Sequence, residues 1–343
     1  MLDVTLLTRG SPAAVSGGHL YHQRMRSAAA RHDARLALRS LRIGRNPFVD
    51  VGDVVLIDSL AAAAVAPWLH RHRGPIAAIV HQQPGGVDHG PARIAVQRRL
   101  DAFVYRRCAV VLAVSAHVAE HVRAACALPD VRVRVVSPGR DLPPARTPSG
   151  TEPMRAGRRA AVLCVANWYP NKGIAELLAA VARLPDDAVT LHLVGRTDVD
   201  RRYSARVTGR LAADDLRGRV VVHGPVAPAD LSGLYDGADV FALASVSEAY
   251  GTVYAEALTA GLPVVGWRSG NLPYLVDDHV HGRLVAPGDV AGLARALQAL
   301  ADDPGRRAEL ATAARARGAT LPTWDDTADA FFGALSQAAR SRG

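Results

Sequence analysis

The chain has 343 residues, 49% of them hydrophobic and 21% charged, a composition that excludes disorder and is long enough for two domains, each with its own core. Its formal net charge is +9 and its isoelectric point is near 10.1, which points to an anionic partner such as a nucleotide or a phospholipid surface. The basic residues are scattered and aromatics are only 5%, so the stripe expected of a nucleic-acid-binding protein is missing.

Taken in chain order, short apolar runs predict strands at 4–8, 54–57, 76–80, 109–114 and 131–136, then at 160–165, 190–194, 220–222, 240–243 and 264–265. Each run ends in polar or glycine-rich residues and is followed by a helix-period segment, the signature of parallel, doubly wound sheets. Residues 137–159 carry Pro138, Pro143, Pro144, Pro148 and Pro153 and read as a linker. The expected fold is therefore α/β, with two Rossmann-like domains facing across a cleft, residues 1–145 and 146–323. The N-terminus reads as a strand rather than a signal peptide. The longest nearly apolar stretch, 56–69, is interrupted by Asp58 and is too short to span a bilayer. Cys108, Cys126 and Cys164 are odd in number and lack metal-like spacing, which fits a reducing compartment. The expected location is cytoplasmic, with at most peripheral contact at the inner face of an anionic membrane.

Ligands of such sheets bind beyond the carboxyl ends of the strands. The residues there are Gly17 and Gly18, Asp58 and Ser59, His81, Ser115, Asn167 to Lys172, Gly195 and Arg196, and Ser245 to Glu248. Lys172 is the single lysine of the chain. It stands at the opening of the helix expected from Gly173 to Ala182, where a cation opposes the helix dipole. An anion held between that helix start and the ammonium explains it; the alternative is chance survival on a solvated loop.

The most informative segment is 247–261, Ser-Glu-Ala-Tyr-Gly-Thr-Val-Tyr-Ala-Glu-Ala-Leu-Thr-Ala-Gly. Glu248 stands before a glycine that can open a helix, Glu256 follows eight positions later inside it, and Gly261 and Pro263 stop it. Apart from Glu256, positions 252–260 are uncharged and mostly apolar or small, so the helix is expected to be largely buried. A buried carboxylate is costly unless paired or hydrogen-bonded. Two carboxylates so placed could take hydrogen bonds from two parts of one polyhydroxylated ligand. The alternative leaves Glu256 solvated and Glu248 merely favouring the helix dipole.

These residues resemble retaining glycosyltransferase family 4, of the two-domain GT-B fold. The 245–265 segment is similar to the family's Glu-x7-Glu signature, and Gly282 to Val285 with Pro287, Gly288 and Asp289 resembles its closing turn. Lys172-Gly173 resembles the phosphate-binding Lys-Gly, Gly17-Gly18 the glycine pair near the diphosphate, and residues 136–141 the turn that ends the first domain. Trp324 and the helix after it, 324–343, resemble a tail that returns to the first domain. The resemblance implies that Glu256 binds the ribose of a nucleotide-diphosphate sugar and Glu248 the donor sugar. Lys172 and the amides of Gly251 and Thr252 would stabilise the leaving diphosphate. His81 would lie beside the reacting carbon, and Gly17, Gly18, Asn167, Arg196 and Tyr250 would complete the donor-binding set. It further implies a hexosyltransferase-type enzyme that acts with retention, needs no metal or other cofactor, and takes a lipid, saccharide or small-metabolite acceptor. Asn167 stands where the family usually has an arginine, with Arg196 as a candidate substitute. Gly270-Asn271 and Tyr274 replace a glycine pair and a glutamate.

Other signals compete. His117, Glu120 and His121 match the inverted zinc-peptidase motif on a surface helix. Asp198-Val199-Asp200 resembles a metal-binding acid pair but fits a solvated loop. His19 and His22, one turn apart, are assigned to the surface, and Trp168 and Trp267 to core packing, with sugar stacking as the alternative. No Gly-x-Gly-x-x-Gly follows the first strand and there is no Walker lysine loop, which argues against a nicotinamide enzyme or an ATPase. Loss of turnover through Asn167 would leave a catalytically silent nucleotide-sugar-binding protein.

Overall fold

The computed structural model describes residues 1–9, 17–42, 44–86, 90–141 and 152–340. The chain divides into two compact units, Met1–Gly139 with Pro322–Gly343, and Arg140–Leu321. The expected boundary at 145/146, and with it Pro143, Pro144 and Pro148, lies outside the described residues.

The first unit is a six-stranded, fully parallel, Rossmann-like sheet. Its strands are β1 (Leu2–Thr8), β2 (Ala34–Ser40), β3 (Val54–Asp58), β4 (Ile76–Val80), β5 (Val110–Ala113) and β6 (Val133–Val135), in the order β2-β1-β3-β4-β5-β6. The central strands β3, β4 and β5 are buried throughout, as continuous apolar runs covered by helices on both faces require. Helix Trp324–Arg340 belongs to this unit, and Ala328, Phe331, Phe332, Leu335 and Ala338 join Leu6, Tyr21, Met25, Leu56, Ile79 and Leu112 in one buried cluster. Each large side chain in that cluster contributes roughly 1.5–3 kcal/mol by leaving water, so the last helix is part of this unit's core.

The second unit repeats the plan with β7 (Ala160–Val165), β8 (Val189–Val194), β9 (Val220–Gly224), β10 (Val240–Leu243), β11 (Val264–Trp267) and β12 (Gly282–Val285), in the order β12-β11-β10-β7-β8-β9, again all parallel. Phe241, Tyr254 and Trp267 are among its largest fully buried side chains.

Two strands were not expected from the sequence. Both lie at sheet edges: β2 is interrupted by Arg35 and Arg39 and buries only Ala34 and Leu36 fully, and β12 had been read as a turn. Edge strands need only one hydrogen-bonded neighbour and so carry a weak apolar signal. The run at 131–136 is also shorter than expected, because Asp130–Arg132 forms a 3-10 turn. In each sheet the strand order reverses once, between β1 and β3 and between β7 and β10. These are the switch points at which open α/β sheets take ligands.

Candidate functional site

At the second unit's switch point, the segments leaving β7 and β10 meet. The Asn167 carboxamide oxygen accepts from the Arg196 amide (2.9 Å), and the Trp168 amide donates to the Arg196 carbonyl (2.9 Å). The loop after β7 is thereby clipped to the loop after β8. A 3-10 turn, Pro170–Lys172, leads to Gly173 (φ +65°), which opens helix Ile174–Val181. A Cβ at position 173 would run into the Ala244 carbonyl oxygen at the end of β10, so only glycine lets the two segments touch. The Val246 amide and the Ser245 hydroxyl both donate to the Asn171 carbonyl, at 2.9 and 3.0 Å. These contacts deliver Lys172 to Glu248, with Nζ 2.6 Å from Oε1 and both side chains partly buried.

Glu248 is held from behind by the turn after β11. Gly270 (φ +55°) packs so closely that a Cβ there would lie 2.7 Å from both the nitrogen and the oxygen of Glu248. The Asn271 amide donates to the Glu248 carbonyl (2.9 Å), and its Nδ2 donates to the Tyr250 carbonyl (2.9 Å). The departure from a glycine pair thus has a local role, since the asparagine braces the 248–250 loop with its side chain. The Tyr250 hydroxyl and Asn271 Oδ1 are buried with no hydrogen-bond partner among the described residues, and burial pushes the Tyr250 phenol up to about 12.

Gly251 then caps helix Thr252–Ala260, which has no side-chain N-cap and so leaves its first amides to water or to an anion. Glu256 is not solvated: its Oε2 accepts from the Tyr235 hydroxyl (2.8 Å) on helix Pro228–Gly237. Burial raises its carboxyl to about 7, with the Tyr235 hydrogen bond pulling it down and Asp141 pushing it up. The charge of Glu256 at neutral pH is therefore open to control by a ligand.

Arg196, the candidate second cation, is exposed and forms a two-point contact with Asp198, Nε to Oδ1 at 3.0 Å and Nη2 to Oδ2 at 3.1 Å. Asp200 caps helix Arg201–Leu211 by accepting from the Tyr203 amide (2.9 Å). The Asp198 and Asp200 carboxylates thus have structural partners, and the Arg196 guanidinium is engaged by Asp198 rather than by the Lys172 loop. Trp168 and Trp267 are core residues, 3% and 1% exposed.

Gly17, Gly18 and His81 lie in the first unit. Gly18 sits in the first turn of helix Gly17–Ala28 against the His81 ring, at the ordinary contact distance of 3.6 Å for an added Cβ. His22, expected at the surface, is instead 3% exposed, because its side of the helix packs on the sheet. Its Nε2 lies 2.9 Å from His81 Nε2 and 3.5 Å from Asp58 Oδ2. Asp58 also accepts from the Thr8 hydroxyl (3.1 Å) and the Leu60 amide (2.8 Å). Burial, with His81 reinforcing it and Asp58 opposing it, lowers His22 to about 4; burial likewise lowers His81 against the pull of Asp58. Both imidazoles are neutral at pH 7. These three side chains form the one group among the described residues whose donor atoms are close enough to share a metal ion. The zinc-peptidase residues do not form one; His121 Nδ1 is occupied by the His117 carbonyl (2.8 Å) on helix Ala116–Cys126.

Tyr235, Asn271 and His22 were not expected in these clusters. Tyr235 carries no motif and reaches Glu256 only through the packing of two helices. Asn271 was visible only as a departure from a pattern.

The chain is similar to known proteins along most of its length. A family model described as Glycosyltransferase Family 4 matches residues 3–143, and one described as Glycosyl transferases group 1 matches residues 159–303. The D-inositol 3-phosphate glycosyltransferase of Xylanimonas cellulosilytica is 36% identical over 224 residues, 62% of this chain and 52% of that protein. Its namesake from Mycobacterium marinum is 32% identical over 227 residues, 66% and 47% respectively. The chain spans about half the length of these curated relatives. Among solved structures, Anabaena HepE in complex with UDP and glucose superimposes with a TM-score of 0.80 at 20% identity, over 98% of this chain and 100% of that one. Sucrose-phosphate synthase from Thermosynechococcus elongatus does so with a TM-score of 0.81 at 20% identity, over 98% and 99%.

Proposed function

The chain belongs to the glycosyltransferases of the two-domain GT-B fold, and we propose that it moves a sugar from a nucleotide-diphosphate sugar to a small-metabolite acceptor, with retention and without a metal ion. The observation that carries this reading is the meeting of Lys172 with Glu248 at the β7/β10 switch point, eight residues before Glu256. In the reading, Lys172 and the Gly251 and Thr252 amides take the diphosphate, where charge develops as the glycosidic bond breaks. Glu248 then turns to the sugar hydroxyls and Glu256 to the ribose. The leaving phosphate accepts the acceptor's proton on the same face, so no second carboxylate is needed as nucleophile. His81, held neutral, acts as a hydrogen-bonding group rather than as a cation.

The relatives named for inositol 3-phosphate support a small-metabolite acceptor, and HepE, solved with UDP and glucose, makes UDP-sugars the first donors to try. The test is a thermal-shift screen of the metal-free protein with UDP, GDP, ADP, TDP and their sugar conjugates, alongside Glu256→Ala. One nucleotide series that stabilises wild type and not the variant supports the site. Stabilisation without turnover supports the silent binding protein, and no stabilisation removes the reading.

Peripheral contact with an anionic membrane belongs to the same proposal. No helix among the described residues is long and apolar enough to cross a membrane. Helix Pro91–Tyr105 exposes Val96 (59%) and Phe103 (53%) on one stripe with Arg99, and Arg106 and Arg107 follow it. Its sole acid, Asp101, is turned inward. An arginine-bordered apolar stripe is complementary to an anionic lipid surface.

A further inference from the structure

His81 directly follows β4, and its surroundings decide which hydrogen bond its ring can offer. The Ser59 hydroxyl accepts from the His81 amide (3.3 Å) and donates to Asp58 Oδ1 (3.3 Å), tying the end of β4 to the end of β3. Tyr21, fully buried in helix Gly17–Ala28, meets the His81 ring edge-to-face with centroids 5.5 Å apart, and its hydroxyl donates to the Val136 carbonyl (3.2 Å). Gly18 brings the backbone of the same helix up to the ring. His22, one helix turn further on, places its Nε2 2.9 Å from His81 Nε2. The ring is thus held on several sides, and no hydrogen bond among the described residues uses its Nδ1.

Two neutral imidazoles joined through their Nε2 atoms need one proton there: one ring donates and the other accepts. Burial lowers the pKa of both, so both are neutral at pH 7. Asp58 settles the direction. A carboxylate only accepts, and Asp58 takes the Thr8 hydroxyl on Oδ2 (3.1 Å) and the Leu60 amide on Oδ1 (2.8 Å) besides Ser59. Its Oδ2 lies 3.5 Å from His22 Nε2, too far for a good hydrogen bond but near enough for its charge to act. A proton on His22 Nε2 is attracted both by that oxygen and by the His81 Nε2 lone pair. A bare His22 Nε2 would instead set its lone pair against the carboxylate. His22 is therefore the donor, His81 Nε2 is the acceptor, and the single ring proton of His81 sits on Nδ1.

We propose that His22 and Asp58 are positioning residues that fix His81 as the Nδ1–H tautomer, and that His81 meets a substrate oxygen only as a hydrogen-bond donor through Nδ1. The word substrate rests on the transferase reading. With Nδ1 protonated and Nε2 occupied, the ring has no basic nitrogen for the acceptor hydroxyl. His81 therefore takes up no proton in the transfer, and the leaving phosphate oxygen remains the base.

The tautomer can be read without any donor or acceptor. Two-bond ¹H–¹⁵N correlation spectra of the full chain, ¹⁵N-labelled at histidine and treated with EDTA at pH 7.5, separate protonated from bare ring nitrogens. Loss of one ring's signals in His22→Gln and in His81→Gln assigns the pair among the 13 histidines. His81 should be protonated at Nδ1 and His22 at Nε2. In His22→Leu the His81 ring should turn to a mixture of both tautomers, and kcat/KM for the donor should fall roughly fivefold, the worth of one hydrogen bond. His22→Gln, whose carboxamide keeps an N–H donor, should keep the tautomer and most of the activity. His81 protonated at Nε2 in wild type overturns the proposal, as does a His22→Leu variant with unchanged tautomer or unchanged kcat/KM. Wild-type spectra that EDTA alone alters would overturn it too, by assigning the nitrogens to a metal ion. The expected tautomers in a protein that transfers no sugar would remove the transferase reading and leave the fixed hydrogen-bond donor standing.

Discussion

Lys172 Nζ lies 2.6 Å from Glu248 Oε1 at the point where the strand order of the second sheet reverses. The chain's single lysine is thus neutralised by the carboxylate assigned to the sugar, and an incoming diphosphate must compete with that carboxylate for it. Glu248→Gln keeps the shape and removes the competitor. UDP, which has a diphosphate and no sugar, should bind this variant more tightly, by roughly fivefold if the partly exposed pair is worth about 1 kcal/mol, while sugar transfer falls. Calorimetry with UDP beside a transfer assay checks both. Weaker UDP binding in Glu248→Gln would refute the assignment.

Lys172→Ala should act in the opposite direction. With Asn167 serving as a backbone clip and Arg196 joined to Asp198, neither of these two strand-end residues stands ready to cover the loss. Turnover should drop about 10²–10³-fold, the cost of removing one group that stabilises developing charge. Asn167→Arg is the companion test. If it rescues part of the loss, the missing arginine limits the wild-type enzyme.

Glu256 predicts a pH dependence of nucleotide binding. Its carboxyl is raised to about 7 chiefly by burial, so it is largely protonated at pH 6, whereas ribose hydroxyls favour the carboxylate. Binding should therefore release a proton, and UDP affinity should rise by roughly tenfold between pH 6 and 7.5 through this group. Titration of the UDP phosphate affects wild type and Glu256→Gln alike, so the difference between their profiles isolates Glu256. Parallel profiles would mean that the ribose does not meet this carboxylate.

Gly270 and Asn271 set the position of Glu248 through backbone contact and hydrogen bonds to the 248–250 loop. Gly270→Ala places a Cβ 2.7 Å from the Glu248 backbone, and Asn271→Ala removes the brace on Tyr250. Each should cost about 1–3 kcal/mol of stability and raise the KM for the donor more than it lowers kcat. A fall in kcat alone, with KM unchanged, would argue against positioning.

Much of this was legible in the sequence because it is local. The buried strands announce themselves as apolar runs, and Lys172, Gly251 and the two glutamates sit in one helix start and one loop each. What was not legible depends on side chains that meet only after folding. Tyr235 and Glu256 are 21 residues apart on different helices, and His22 and His81 are 59 apart. A histidine spaced one turn from another reads as a surface pair until the sheet beneath it is known. The edge strands β2 and β12 were missed for the related reason that half their surface is solvated.

The two units should respond to acid in opposite ways. Glu256 has a folded pKa near 7, above its ordinary 4.5, so the folded form binds more protons in that window. Its contribution disfavours folding as pH rises from 4.5 to 7 and is relieved on acidification. His22 is depressed from 6.5 to about 4, so the unfolded form binds more protons there. Its neutral, buried state stabilises the first unit above pH 6.5 and is lost as pH falls toward 4. Calorimetric scans between pH 7 and 4.5 should show the first unit's transition moving down. Glu256→Gln should steepen the acid loss of the second unit's transition relative to wild type, and His22→Leu should flatten that of the first. If His22 and His81 instead share a metal ion with Asp58, a chelator will lower the first unit's midpoint at pH 7 and metal analysis will find the ion.

The exposed stripe of helix Pro91–Tyr105 yields the last prediction. Val96 and Phe103 are more than half exposed, a cost in water that a bilayer interface removes, and the surrounding arginines each add about 1 kcal/mol near an anionic surface. Flotation with vesicles containing phosphatidylglycerol should recover the protein, and neutral phosphatidylcholine vesicles should not. Raising the salt concentration should release it, since attraction to lipid charge is screened within a Debye length of about 8 Å at physiological ionic strength. Val96→Ser with Phe103→Ser should abolish flotation without lowering the thermal midpoint, because neither side chain contributes to the core. Concentration-dependent self-association that the same double substitution removes, with no vesicle binding, would assign the stripe to a second copy of the chain.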